Sequence, residues 1–234
     1  MSRYYTGPVS DHFDGERFFD RDGVSPKGRS DLLRWLIERN FRGSKAKWPV
    51  WAPSPHADRP PRRVDGAAVR IVYVGHASWL IQTAGRNILL DPVWSERVSP
   101  VRFAGPKRVN DPGIAFADLP PIDAVLVSHA HYDHLDVATL SQLAAAHRPR
   151  VITPLGNDTI MRNHDAGIAA EAYDWHQRAE LGAAHLEGAH RFLRVHVHVA
   201  HEPARLVGAE RQDRQAERSV AVARLAEMRA VAVA

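Results

Sequence analysis

Apolar residues fall along this chain in short runs bounded by turn residues, with a few stripes at helical spacing between them. Residues 69–74, β-branched and apolar but for Arg70 and Tyr73, predict a strand. The turn at Gly75-His76 leads into its antiparallel neighbour over 78–82, and Ala84-Gly85 introduces a third strand over 87–90. Ala-Val-Leu-Val at 124–127 is short, apolar and β-branched, the signature of a buried strand. Further strands are expected at 150–153 and 171–173. Leu32, Leu33, Leu36 and Ile37 lie at helical spacing and predict a helix over 31–41, with Ser30 as N-cap and the stripe packed in the core. A second helix is expected over 137–146, with Leu140, Leu143 and Ala144 inward, and Asn157 can cap a short third one. Arg194 to His201 alternates like a strand with His196 and His198 on one face; residues 210–234, rich in Ala, Arg and Glu, have helical propensity. Strands alternating with helices give an α/β class.

The connecting stretches differ in kind. Residues 1–30 are turn-rich but carry Phe13, Phe18 and Phe19, which predicts an ordered arm on the core with His12 on its surface. Residues 42–64 hold Trp48, Trp51 and a series of prolines and read as irregular, semi-rigid chain. Residues 95–122 form a long loop of the kind used as a lid or binding loop, and Arg102, Lys107 and Arg108 are read either as solvated charges or as its candidates for meeting an anionic head group. The chain divides into an extension over 1–64, a core over 65–182 and an atypical tail over 183–234.

Composition narrows the chemistry. With 234 residues a sizeable core is expected, and with no cysteine there is neither a disulfide framework nor a thiolate metal site. The formal charge of +4 and pI near 9.7 come from dispersed arginines without a nucleic-acid motif, so nucleic acid is not the expected partner. No apolar run is long enough to span a bilayer, and no secretory signal is apparent, so a cytoplasmic location is expected.

The candidate chemistry sits directly after the buried strand at 124–127. His129, His131, Asp133 and His134 follow within seven positions. In extended chain, residues two apart point the same way, so His129 and His131 can converge on one cation while Asp133 and His134 turn toward a second. Imidazole nitrogens with a carboxylate suit zinc or a similar borderline metal.

His-x-His-x-Asp-His resembles the metal signature of the metallo-β-lactamase superfamily. Val74-Gly75-His76-Ala77-Ser78, Leu90-Asp91-Pro92-Val93-Trp94-Ser95, Gly105-Pro106-Lys107-Arg108 and Leu119-Pro120-Pro121-Ile122-Asp123 resemble the branch containing N-acylphosphatidylethanolamine-hydrolysing phospholipase D, over roughly residues 45–176. The resemblance implies an αββα fold of two facing mixed sheets flanked by helices. It implies two zinc ions, the first held by His129 and His131, the second by Asp133 and His134, with Asp133 and His134 at the catalytic centre. His76 and Asp91 are implied to back the metal ligands, and Asp136 to orient a ligand histidine. The implied substrate is a phospholipid of the N-acylphosphatidylethanolamine type, with peripheral membrane contact. The motif alone leaves room for another small ester, a lactone or a sugar phosphate.

Beyond about residue 182 the pattern departs from that branch. Relatives continue with His-Trp-Ser-Ala-Arg-Gly and later Gly-Asp-Thr-Gly, which bring further ligands. Here Arg205-Leu206-Val207-Gly208-Ala209-Glu210 stands at the first of these, and no counterpart of the second follows. Leu206-Val207-Gly208-Ala209 can be encoded by CTG GTC GGC GCG, which read one base out of phase gives Trp-Ser-Ala-Arg, so one hypothesis is a shifted reading frame, which resequencing the gene decides. A truncated, non-catalytic chain with an incomplete metal site, and incomplete fold, is therefore the competing expectation.

Overall fold

The computed structural model describes residues 4–19, 29–41, 49–54, 57–101, 103–186 and 189–196. Its centre is a six-stranded mixed sheet, order β1-β2-β3-β4-β5-β6, made of β1 (Val69–Gly75), β2 (Ser78–Thr83), β3 (Arg86–Leu90), β4 (Ala124–Leu126), β5 (Arg150–Pro154) and β6 (Ala170–Tyr173). The first three strands are joined by tight turns and pair antiparallel. β3 to β6 run parallel, so their carboxyl ends share one edge of the sheet. A two-stranded antiparallel sheet, β7 (Arg178–Leu186) with β8 (Ala189–His196), follows.

Register explains the two cores. Val72, Leu80, Leu89, Val125, Val151 and Ala170 are successive partners across all six strands and point to one face. There they pack with Leu140 and Leu143 of α2 (Val137–His147), Met161 of α3 (Asn157–His164), and Ile114, Leu119 and Ile122 of the long loop. The other face carries Ile71, Ile81, Ile88 and Ala124 as successive partners. Ile81, Ile88, Ala124 and Ile152 are covered there by Ala179 and Leu181 of β7. At the β1 side this second face stays open: Val69, Ile71 and Tyr73 are 60%, 41% and 49% exposed. At the amino end of β4, buried Gln82 and Asn87 bond each other at 2.9 Å and hold the carbonyls of Pro61, Arg62 and Pro121, tying residues 61–63 to the sheet.

Three expectations are corrected. His12 is not a surface residue. It is buried, its Nε2 lies 2.7 Å from Asp174 Oδ1, its Nδ1 2.6 Å from Asp11, and its ring stacks on Trp175. A polar side chain can enter an interior when both its nitrogens find partners, and both carboxylates supply them. It fastens the arm, whose Tyr5, Phe13 and Phe18 rings pack together, to the loop after β6. Of the stripe expected to be core on α1 (Arg29–Phe41), Leu33 and Ile37 are instead 59% and 48% exposed, with Phe41 one turn on at 84%; the Leu32 and Leu36 side chains are outside the described ones. Periodicity marks an apolar face but not what covers it. Ser30, expected as the N-cap, lies inside that helix. Trp48, Arg102 and residues 197–234, including His198 and His201, lie outside the described residues.

Candidate metal centre

The shared carboxyl edge of the parallel strands gathers the motif residues. β4 ends at Leu126, and the chain turns at Ser128 because Asp91, at the end of β3, captures it: Asp91 Oδ1 accepts from Ser128 N at 2.7 Å and Oδ2 from Ser128 Oγ at 2.7 Å. Asp91 is buried and has φ 41°, and His76, at the end of β1, has φ 50°. Both are non-glycine residues in the left-handed region, where strain tends to collect at functional sites. The loop then closes on itself, with His134 N and Leu135 N both donating to His131 O.

The side chains converge. His76 Nε2 lies 2.8 Å from Asp133 Oδ2, and His134 Nε2 3.8 Å from the same oxygen. One ligand atom each of His76, Asp133 and His134 lies within 4.8 Å of the others. His134 Nδ1 sits 2.8 Å from Asp91 Oδ2, which leaves its Nε2 toward the group. The His129 ring is centred 4.0 Å from that of His134, and His129 Nε2 is 2.9 Å from His131 Nδ1. Two imidazoles that close face each other with at least one lone pair, a donor set that fits a borderline cation.

The electrostatics agree with that fit. Burial, then the His134 and His131 charges, push His129 below the ordinary imidazole pKa of 6.5, so it stays neutral. Burial pushes His134 down, but the Asp91 hydrogen bond and the Asp91 and Asp133 charges outweigh it and leave the pKa raised. Burial pushes the Asp133 carboxyl up; a hydrogen bond with its own backbone, the His76 hydrogen bond and the His134 and His76 charges leave it lowered and therefore ionised.

The other expected residues are placed as follows. Asp136 caps α2: its carboxylate accepts from Thr139 N and Oγ1 and from Ser95 N and Oγ, at 2.6–3.2 Å, with no histidine among these partners. Asp136→Ala is expected to cost about 1–2 kcal/mol in urea unfolding, the usual worth of such a cap, with zinc affinity unchanged in a titration of the folded variant. Lys107 pairs with Glu96 at 2.6 Å, and Arg108 is half-buried beside Gly75. His76, expected behind the ligands, has its ring nitrogen among the three ligand atoms that lie together; its place at a strand end was the only signal.

The family model for the β-lactamase superfamily domain matches residues 86–225, more than half of the chain. The matched span thus continues through the stretch where the sequence departs from the phospholipase-like branch. An uncharacterized protein of Mycobacterium tuberculosis is 37% identical over 153 residues, which cover 64% of this chain and 40% of that protein. N-acyl-phosphatidylethanolamine-hydrolyzing phospholipase D 1 of Caenorhabditis elegans is 39% identical over 97 residues, 41% of this chain and 27% of the enzyme. A UPF0173 metal-dependent hydrolase of Opitutus terrae is 31% identical over 106 residues, 45% and 38% of the two chains. The chain therefore spans less than half of the length of these relatives.

Proposed function

Because the chain belongs to the metallo-β-lactamase superfamily, we propose that its edge cluster is the metal centre of a zinc-dependent phosphodiesterase acting on lipids of the N-acylphosphatidylethanolamine type. The observation that carries this reading is the convergence of His76, Asp133 and His134 within 4.8 Å of one another. His129 and His131 stand alongside as further nitrogen donors. Zinc bound there supplies Lewis acidity toward a phosphoryl oxygen and makes hydroxide available near neutral pH. The remaining work falls to the chain. Asp91 holds His134 in the tautomer that leaves Nε2 free, as outer carboxylates do for metal-binding histidines. Asp133 stays ionised as the anionic donor, and His129 stays neutral with its lone pair available.

The phospholipid class is supported by the similarity to the worm phospholipase and by the apolar turns of α1, where Leu33, Ile37 and Phe41 face out and suit peripheral contact with a membrane surface. No helix among the described residues is long and apolar enough to cross a membrane. Cleavage would release an N-acylethanolamine and a phosphatidic acid. The test is turnover of N-acylphosphatidylethanolamine vesicles, a soluble phosphodiester and a lactone by zinc-loaded protein, with and without chelator. Chelator-sensitive hydrolysis of the lipid is expected. Hydrolysis of the lactone alone would replace the substrate class, and no metal-dependent turnover of any of them would favour the non-catalytic alternative.

A further inference from the structure

Arg108 stands where the segments that carry the cluster meet. Its Nη2 donates to Val93 O at 2.7 Å, two residues after Asp91. Its Nη1 rests at Gly75, the neighbour of His76, where an added Cβ would come within 3.2 Å of it. Asp136, two residues after His134, is the largest of the charges acting on it, with Asp111 a weaker one. A guanidinium carries five N–H donors. Nη2 has one protein acceptor, Nε is buried with none, and Nη1 makes no hydrogen bond among the described residues. Asp136 cannot neutralise it by contact, since its carboxylate is spent on Ser95 and Thr139. Burial even lowers the Arg108 pKa, a cost that a cation normally offsets with a partner. A buried donor left without one calls for an explanation, and a missing ligand is among the ordinary ones.

We propose that Arg108 receives a non-bridging oxygen of an anionic phosphodiester beside the metal cluster, with side-chain-free Gly75 leaving room for Nη1. This rests on the phosphodiesterase reading and names the group that would hold the substrate's charge. The planar fork suits phosphate, and any side chain at residue 75 would crowd Nη1, since a Cβ there would come within 3.2 Å of it. Lys107 does not compete for this role, because Glu96 already holds its ammonium.

The probe is dimethyl phosphate, a singly charged diester, titrated into metal-free full chain and followed by phosphorus NMR. Neutral trimethyl phosphate and inorganic phosphate serve as comparisons. Wild type is expected to bind dimethyl phosphate and not the trimethyl ester. Arg108→Met is expected to weaken that binding about 10- to 100-fold, the worth of a hydrogen bond to a charged group, while zinc affinity of the variant stays at the wild-type value. Equal binding of dimethyl phosphate by both proteins overturns the proposal. So does a parallel loss of zinc affinity, which would make Arg108 a brace for the metal-bearing turns. Binding of inorganic phosphate without the diester would give the site to free phosphate and likewise overturn it. If Arg108→Met does not unfold cooperatively, Arg108→Lys decides: a weakened diester with unchanged zinc supports the fork, and no change contradicts it. Failure of the metal reading would show separately, as wild type that takes up no zinc.

Discussion

Asp91→Ala is expected to be the most damaging single change at the carboxyl edge, in stability and in metal binding together. The carboxylate is buried and serves three partners: Ser128 N, Ser128 Oγ and His134 Nδ1. Its removal orphans the Ser128 N–H at the turn and frees His134 to rotate. The loss should reach about 3 kcal/mol, between a lost charged hydrogen bond and a broken buried pair. Alanine also inherits φ 41°, which it tolerates less well than aspartate. Zinc affinity should fall about 10- to 100-fold, as when other carboxylates behind metal-binding histidines are removed. Asp91→Asn keeps the backbone preference, so it should recover most of the stability and little of the zinc affinity.

The pH dependence of that cost has a definite sign. The His134 pKa is raised above its ordinary 6.5 despite burial, through Asp91 and Asp133. The imidazolium–carboxylate attraction therefore stabilises the metal-free fold fully below 6.5, and that contribution is lost as pH rises through the folded-state value. Removing Asp91 should cost more at pH 6 than at pH 9, and urea unfolding of the metal-free variant at the two values checks it.

The second large effect is on the donors themselves. His131→Ala and His134→Ala should each weaken zinc binding by more than roughly 100-fold, beyond what an outer partner costs. His164, exposed at the end of α3, is the control, and His164→Ala should change stability by no more than about 0.5 kcal/mol. His12→Ala is not a neutral comparison. It would leave Asp11 and Asp174 facing a hole under Trp175, so a stability loss with zinc binding retained is expected there. Calorimetric titration of the metal-free variants separates the two behaviours. Comparable zinc losses in His131→Ala and His164→Ala would show that the donors are elsewhere.

Much of the central sheet was legible because its residues satisfy local and global demands at once. Ala124 to Val127 is apolar without interruption since β4 lies between two strands with both faces covered, and Leu140 and Leu143 read as inward because α2 covers that sheet. The strand β7 was not expected: Arg178–Leu186 is rich in Ala and Gly, which carry little β preference, and its place is set by pairing with β8 and by contact of Ala179 and Leu181 with the sheet. The clustering of histidines and aspartate over 129–134 was visible from spacing alone. The links across the chain were not, since His76 to Asp133 and Asp91 to His134 join residues 57 and 43 positions apart, and no local pattern encodes such pairs. His12 was read as a surface residue, and no internal partner was foreseen for Arg108, for the same reason: Asp174 and the Val93 carbonyl are brought to them only by the fold.

The central claim is that the carboxyl edge of the sheet holds a metal through its His and Asp side chains. The most direct measurement is a calorimetric zinc titration of the chelator-treated full chain beside an Asp133→Ala, His134→Ala double variant that still unfolds cooperatively in urea. Saturable binding by wild type, lost in the double variant, is the expected result. No binding by wild type, or equal binding by both, would contradict it.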